Sequence, residues 1–410
     1  MDGIFESLNS VTRIIDVTNL ADTTHVNDVT SITDVTTLGD FPRENDVTTS
    51  LTNATAAAAS QKLISDENFV LLCAVINILV TVVSVLGCLG NALAIKTFLA
   101  MDLKDGVIVS FLVLAGSDLA YLVTMVADSV SLGFYLAEMT SQYRTWFPVE
   151  PYGVYIYLIN LGILLHLLTV LTTTFLAVAR CICVALPYSF KDLFSRRRSI
   201  WVHVTFCLLT VGSYVPVLAF MDMTPEVDAR VNATRVVLWV SSKRDVIKEN
   251  VWIVRDVFVT FMTQLVVTVC VFVMVRCLRA ASDLRHKLRH YSTNLSGSVR
   301  QGSGTPTGYP RRGQGTQEPT GYPRLARKEL SVVMQVVLIS VVYIVCNLPK
   351  VTIDITAILV SEFTLGRSYQ NMYLVAISVM ELFQASGSSL NILVYLRYNS
   401  LFRRHCHLGW

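Results

Sequence analysis

The sequence predicts an all-α membrane protein: a bundle of seven transmembrane helices followed by a short amphipathic eighth helix. Of its 410 residues, 53% are hydrophobic and only 15% are charged, whereas about 25% of the residues in ordinary soluble domains are charged. The apolar residues are concentrated in seven segments, each with the roughly 20 residues that a helix needs to cross a membrane. The segments are 69–97, 107–130, 153–179, 200–221, 252–277, 329–360 and 371–396.

The length of these apolar segments favours helices over a membrane barrel. Only helices and closed barrels satisfy every backbone group in lipid, and the strands of a barrel read as alternating segments of about 10 residues. The region 67–396 is therefore predicted to be one helical membrane domain.

A polar segment, residues 1–66, precedes the first apolar run. It is rich in Thr, Asp and Asn and repeats the unit DVT from Asp16 onward, without the apolar stripe that packing requires. This composition predicts a disordered tail. The sequon at Asn53 would be glycosylated if the tail is extracellular.

The placement of basic residues predicts the orientation of the chain. Lys and Arg follow the third, fifth and seventh apolar segments, and many lie in the Gly/Pro/Arg-rich stretch 279–328. Positively charged loops stay on the cytoplasmic side, so this stretch is predicted to be a disordered cytoplasmic loop. The amino terminus and a second sequon, at Asn232, are then expected outside the cell, in a multi-pass protein of the plasma membrane.

The carboxyl-terminal segment 397–410 is predicted to lie on the inner membrane surface. Apolar and basic residues alternate there, as in a short interfacial helix. Basic residues of the inner face are expected to bind anionic lipid headgroups, at roughly 1 kcal/mol each. Cys406 is a candidate for lipidation.

Five short motifs occur in order along residues 85–405. The first segment contains GNALAI, the second LAGSD, the third ends in ARCICVALP, the sixth contains CNLP and the seventh NILVY. In order and placement they resemble the motifs of the rhodopsin-like (class A) G protein-coupled receptors. The matching residues are Asn91, Asp118, Arg180, Val184, Pro187, Pro349, Asn391 and Tyr395.

The sequence also departs from the pattern of that family. Asn347 replaces a tryptophan, Ile392 replaces a proline, and Tyr155 stands where the family has a cysteine, so the usual outer disulfide cannot form. Ala179 replaces the acid that pairs with the motif arginine at rest, and ligand-independent signalling is therefore expected to be raised. The resemblance is to divergent members, namely invertebrate chemosensory-type receptors, with neuropeptide receptors as the alternative.

By this resemblance, Asp118, Thr169, Ser388 and Asn391 would form an allosteric sodium site in the inactive state. Hard oxygen ligands around one carboxylate suit a hard cation, and Asp118 would be the metal-binding acid. Ser388 and Asn391 are three residues apart and share a helical face. A purely structural polar cluster is the alternative.

Ionisable and polar residues nearer the outer end are candidates for ligand contact, because such groups are costly at membrane depth. One candidate is Asp354, and Lys350, which lies four residues before it, could simply pair with it. Gly162 stands where amine receptors carry an aspartate, which argues against an amine bound in that manner; a small polar or peptide ligand is expected. The candidates are Glu381, Asp354, His166, Asp128 and Asn347.

The resemblance assigns the inner end of the bundle to coupling with a heterotrimeric G protein. Arg180 would bind the carboxyl-terminal helix of the α subunit through the donors of its guanidinium, with Val184 and Pro187 completing its motif. Pro349 would supply a hinge in the sixth helix, and Tyr395 belongs to the motif of the seventh. The alternative for Arg180 is a positive-inside anchor.

The implied protein is therefore a receptor that performs no covalent chemistry. No cofactor is expected apart from the sodium ion, and no binding of nucleic acid. An enzyme is disfavoured because the sequence has no HExxH or GxSxG motif. A transporter, the less favoured alternative, would show inverted repeats and interrupted helices, of which the seven segments give no sign.

Overall fold

The computed structural model describes residues 66–101, 105–140, 147–185, 195–228, 233–241, 251–299, 327–364 and 367–406. Within these residues the chain forms eight α-helices and one two-stranded sheet. The helices are α1 (Asp66–Leu99), α2 (Gly106–Thr140), α3 (Pro151–Ala185), α4 (Arg196–Leu218), α5 (Thr260–Val299), α6 (Arg327–Leu359), α7 (Gln370–Tyr398) and α8 (Ser400–His405). The strands are β1 (Met221–Asp228) and β2 (Ala233–Val240). The predicted tail before α1, with Asn53, lies outside the described residues.

Six of the described helices contain a stretch long and apolar enough to cross a membrane. Large apolar side chains face outward on them: Leu89 and Leu208 are 67% and 69% exposed, whereas Asn91 and Asp118 are 0% exposed. This arrangement suits lipid, which accepts apolar side chains but not unpaired polar groups. The chain is therefore a helical, multi-pass membrane protein. The stretches are Leu71–Leu99, Gly106–Tyr135, Pro151–Ala185, Arg196–Leu218, Ile253–Ala280 and Val332–Leu359.

α7 is comparable in length to these helices but more polar, and it is not among the six. It packs against α1 and α6. Gln384, Ser388 and Asn391 are buried, whereas Leu393 is 58% exposed. The polar side chains of α7 therefore face the interior of the bundle.

A β-hairpin lies at one end of the bundle, and the all-α prediction missed it. β1 and β2 pair antiparallel, from Met221 opposite Val240 to Asp228 opposite Ala233. The β-branched and aromatic residues of β2 favour a strand. Because Met221 already belongs to β1, the fourth helix ends at Leu218 instead of the predicted 221.

The hairpin is held to α2 and to the start of α3 without a disulfide. The backbone N–H of Glu150 donates to the carbonyl of Val236 at 2.9 Å, and the Glu150 carboxylate accepts from the backbone N–H of Leu238 at 3.0 Å. Arg235 forms an ion pair with Glu138 at 2.6 Å. All nine cysteines are free thiols, and neither strand of the hairpin contains a cysteine.

α5 starts and ends differently from the prediction. A π-helical segment, Trp252–Val259, leads directly into it, and the helix continues to Val299. The predicted loop 279–328 is therefore wrong over 279–299. No proline or glycine interrupts the sequence between the end of the apolar run and Gly297, and Ala, Leu, Arg and Lys in this stretch are strong helix formers.

An aromatic cluster packs α8 against the bundle at the end opposite the hairpin. The ring of Phe98 lies 5.1 Å from the rings of both Tyr395 and Phe402, and Phe111 lies 5.6 Å from Tyr395. The Asn399 side chain accepts a hydrogen bond from the backbone N–H of Phe402 at 2.9 Å and caps α8. The bundle thus has a hairpin end and an α8 end.

Candidate functional site

A polar cluster around Asp118 connects α2, α3 and α7 in the middle of the bundle. Asn391 Nδ2 donates to Asp118 Oδ2 at 2.7 Å, and Thr169 Oγ1 donates to Asp118 Oδ1 at 3.1 Å. Ser388 lies against the same carboxylate. The structure thus brings together all four residues of the predicted group, Asp118 among them.

Two further residues extend this cluster. Asn91 Nδ2 donates to the carbonyls of Gly87 and Ser388, each at 3.0 Å, and so joins α1 to α7. Thr169 Oγ1 also lies 3.0 Å from Ser117 Oγ. The sequence analysis did not select Ser117, although its position directly before Asp118 was a signal. The cluster thus fixes four helices relative to one another through buried hydrogen bonds.

The donor set around Asp118 fits a monovalent hard cation. It offers one carboxylate, hydroxyl groups and an amide, which are the oxygen ligands that hard cations prefer. In the described part of the chain, no group of three or more His, Cys, Asp or Glu side chains is arranged to hold a metal. A single carboxylate neutralises one positive charge, so the set suits an alkali ion better than a divalent one.

A second polar layer lies on the hairpin side of this cluster. His166 Nε2 lies 3.2 Å from Asn347 Oδ1, and its ring lies 5.2 Å from the ring of Tyr121. The Tyr121 hydroxyl donates to Gln384 Oε1 at 3.4 Å. The predicted residues His166 and Asn347 therefore meet. Tyr121 and Gln384 were missed, although Gln384 follows Glu381 by three residues on one helical face.

Four charged residues, two in the π-helical segment before α5 and two in α6, form two ion pairs. Lys350 Nζ lies 3.4 Å from Asp354 Oδ2, as their spacing predicted. Arg255 contacts both carboxylate oxygens of Asp256, at 3.1 and 2.7 Å. The predicted ligand residue Asp354 thus has a cation beside it already, and this side of the interior carries no net charge.

Asp128 on α2 and Glu381 on α7 are not compensated in this way. Asp128 is 6% exposed, and its Oδ1 has no hydrogen-bond partner among the described residues. The Glu381 carboxylate acts electrostatically on Asp128. Among the described residues, neither carboxylate forms an ion pair.

The α8 end of α3 carries the motif arginine. Arg180 is 9% exposed and Ala179 beside it is 2% exposed. Val184 packs against the apolar core of that end. Pro187 lies outside the described residues.

Pro349 and Tyr395 lie on neighbouring helices. Pro349 is inside α6. Tyr395 is 0% exposed, and its hydroxyl has no hydrogen-bond partner in the described part of the chain. Gln335 on α6 is likewise fully buried with both amide atoms unpartnered. The sequence analysis did not single out Gln335, because a lone glutamine in an apolar run matches no motif.

Of the predicted modification sites, Cys406 is the one that lies among the described residues. Asn232 falls in the connection between β1 and β2, outside the described residues. Cys406 is 5% exposed and its backbone N–H donates to the carbonyl of Phe402. Attachment of an acyl chain to Cys406 would therefore require the end of α8 to move.

No protein-family model and no curated protein sequence matches this chain. The fold and the site define a class: a helical multi-pass membrane protein with a connected polar interior.

Proposed function

We propose that the chain is a seven-span receptor of the rhodopsin-like type, which transmits the binding of an extracellular ligand to a heterotrimeric G protein. The observation that carries the proposal is the convergence of three motif residues. Asn391 bonds Asp118 across 273 positions of sequence, and Asn91 bonds the carbonyl of Ser388 across 297. Motifs that were recognised separately therefore meet in one buried cluster.

In this proposal α7 is the seventh span. Its polar residues face the interior, its neighbours are α1 and α6, and α8 follows it after one residue. The hairpin end is extracellular, with the amino terminus and Asn232, and the α8 end faces the cytoplasm at the plasma membrane. α8 lies in the inner interface, where Arg403 and Arg404 meet anionic lipid headgroups.

Signal transmission is a shift between two arrangements of the bundle. A ligand at the hairpin end stabilises the arrangement to which it binds more tightly. The inner ends of α5 and α6 move outward, with Pro349 as the hinge because it removes one backbone hydrogen bond from α6. Arg180 then binds the carbonyls at the end of the inserted G protein helix.

A sodium ion is the allosteric ligand proposed for the Asp118 cluster. Asp118, Thr169, Ser388 and Asn391 would hold it in the resting arrangement, with Asn391 turning its amide oxygen towards the ion. The support is the donor set, which has one carboxylate and several neutral oxygens. The proposal includes no other cofactor and no covalent reaction.

A chemosensory role is the favoured form of the proposal, and a neuropeptide receptor is the second. The divergent motifs, including Ala179 and Asn347, favour the first. Transcripts in sensory epithelium would support chemosensation, whereas transcripts in ganglia would support the neuropeptide role. A transporter is less favoured because neither the segments nor the helices show paired interruptions in two halves.

The test is ligand-free nucleotide exchange by the full-length receptor in membranes with a heterotrimeric G protein. We expect exchange above that of receptor-free membranes, and we expect Arg180→Ala to abolish it. Arg197→Ala is the matched control, because Arg197 is an exposed arginine at the start of α4. If the two variants exchange nucleotide equally, or the wild type adds nothing to receptor-free membranes, the proposal fails.

A further inference from the structure

The ionisable residues near the hairpin end divide into two groups of different net charge. Arg255 pairs with Asp256 in the π-helical segment before α5, and Lys350 pairs with Asp354 in α6. Each pair sums to zero charge. On α2 and α7, Asp128 and Glu381 have no cation beside them within the described residues. In the described part of the chain, the interior between α2 and α7 therefore carries two acidic groups and no compensating base.

Two side-chain contacts bring α1 together with α2 and with α7 around these two acids. Ser129, next to Asp128, donates to Asn77 Oδ1 at 3.1 Å. Ser378, one turn before Glu381, lies 3.9 Å from the sulfur of Cys73. The three helices are thus fixed on either side of the acidic pair.

A contact on the inner side closes this region. Tyr121, two turns before Asp128 on α2, donates to Gln384, one turn after Glu381 on α7, at 3.4 Å. Asp128 and Glu381 therefore lie between this hydrogen bond and the hairpin end, on two different helices.

Asp128 itself lacks a partner that its burial demands. The residue is 6% exposed, and no donor in the described part of the chain bonds its Oδ1. A buried carboxylate is costly unless it is paired or hydrogen-bonded, and Glu381 acts on it with charge of the same sign. A cation placed between the two groups removes both penalties.

From this arrangement, we infer that Asp128 and Glu381 form a subsite for a cationic nitrogen of the ligand, an ammonium or a guanidinium. The hydroxyl groups of Tyr121 and Tyr155 are near enough to the two carboxylates to be influenced by their charge. Tyrosine rings beside the subsite would favour an organic cation over a metal ion, because aromatic rings attract organic cations. Calcium would need six or more oxygen ligands, and the described residues offer no group of three acids.

The inference rests on the proposed function only in taking the hairpin end as the ligand side. The subsite would recognise a cation although Gly162 on α3 carries no acid, because the two acids lie on α2 and α7. The cationic nitrogen can belong to a free amine or amidine, or to an arginine or lysine side chain of a peptide. Both sources present the same chemistry to the subsite.

The test measures the melting temperature of the purified full-length receptor with matched probes. Benzamidine is compared with its neutral isostere benzamide, and N-acetylarginine amide with N-acetylcitrulline amide. We expect saturable stabilisation by a cation and none by its neutral counterpart. The pair that responds at lower concentration distinguishes a small free cation from a peptide side chain.

Asp128→Asn and Glu381→Gln assign the response to the subsite. Each variant is expected to weaken the apparent affinity for the cation roughly 10- to 100-fold, since a charge-assisted hydrogen bond is lost. Each is also expected to raise the melting temperature without probe, because an uncompensated charge is removed. A cooperative melting transition at that temperature would show that the variants fold. Glu138→Gln is the control: it alters a carboxylate on the same helix that already pairs with Arg235.

Three outcomes overturn the inference. Neutral isosteres stabilise as well as cations, the cations stabilise the two variants as well as the wild type, or calcium chloride replaces the organic cations through the same residues. Loss of nucleotide exchange is measured separately with Arg180→Ala. Cation binding without G protein exchange would therefore contradict the proposed function and leave the subsite standing.

Discussion

Asp118 and Arg180 are buried charged residues that lie on two contacting helices of the bundle. Asp118 accepts hydrogen bonds from α3 and α7 at once, so any change in its charge or its ligand acts on the packing of both helices. Arg180 lies on the same helix as Thr169, nearer the α8 end. The polar interior can therefore couple the middle of the bundle to that end through α3.

The charge of Asp118 predicts a response to sodium. A cation that binds the resting arrangement more tightly lowers the population of the active one. We expect ligand-free nucleotide exchange to fall when sodium replaces potassium at constant ionic strength. Asp118→Asn keeps the shape of the side chain but loses its charge, and should abolish the difference between the two salts. An unchanged sodium response in Asp118→Asn would place the ion elsewhere.

Ala179 predicts a high level of ligand-free exchange. An acid at this buried position would pair with Arg180 and stabilise the resting arrangement. We expect Ala179→Asp to lower ligand-free exchange about 10-fold if the pair contributes about 1.4 kcal/mol. Ala179→Asn has nearly the same volume without the charge and serves as the control, with surface expression measured for both. Equal exchange by the two variants would rule out the ionic explanation.

At the scale of elements, the apolar runs predicted the helices better than they predicted what joins them. The run 107–130 lies within α2, and the run 371–396 lies within α7, because each turn of a membrane helix must present apolar side chains. The hairpin gave no such signal, because each strand has only eight residues and β1 begins at Met221, the last residue of the predicted fourth run. The extension of α5 was missed because its polar sequence resembles a loop by composition although its helix propensity is high.

The candidate site, like the fold, was predicted from the sequence only in part. The grouping of Asp118, Thr169, Ser388 and Asn391 followed from the resemblance, whereas Ser117, which bonds Thr169, was missed. The separation of Asp128 and Glu381 from the cations of the described residues did not follow. It depends on which faces of α2 and α7 meet and on the local pairing of Lys350 with Asp354, and a one-dimensional pattern contains neither.

Close packing of α1 against α7 predicts a severe effect of a single methyl group. A Cβ at Gly87 would lie 2.8 Å from Leu122 Cδ1 and would also meet Ser389 Oγ. We expect Gly87→Ala to destabilise the bundle by about 1–3 kcal/mol, as overpacked cores do. At Gly116 a Cβ meets nothing within 4 Å, so Gly116→Ala should be neutral or stabilise α2 by up to about 1 kcal/mol.

Thermal unfolding of the two purified glycine variants measures this difference. A lower melting temperature for Gly87→Ala than for Gly116→Ala supports the tight contact between α1 and α7. Equal melting temperatures would mean that α7 is not packed against α1 as described, and would weaken the assignment of α7 as a span.

At the scale of the whole molecule, the two ends of the bundle differ in chemistry. The hairpin end carries the strands β1 and β2 and the acidic pair, whereas the α8 end carries basic residues at the start of α4 and in α8. Basic segments remain in the cytoplasm because their translocation is unfavourable. This distribution of charge supports the proposal that the α8 end is the cytoplasmic end. α1 to α7 cross the membrane an odd number of times only if α7 is itself a span.

The number of crossings yields a test that needs no ligand and no G protein. With seven spans, an epitope tag placed before residue 66 is accessible to antibody on intact cells, and a tag after Trp410 is accessible only once the cells are permeabilised. A sequon engineered between α6 and α7, where Ser361 is exposed, should be glycosylated because that connection faces outside. Staining of both tags on intact cells would mean an even number of crossings, leave α7 outside the set of spans, and exclude the receptor topology.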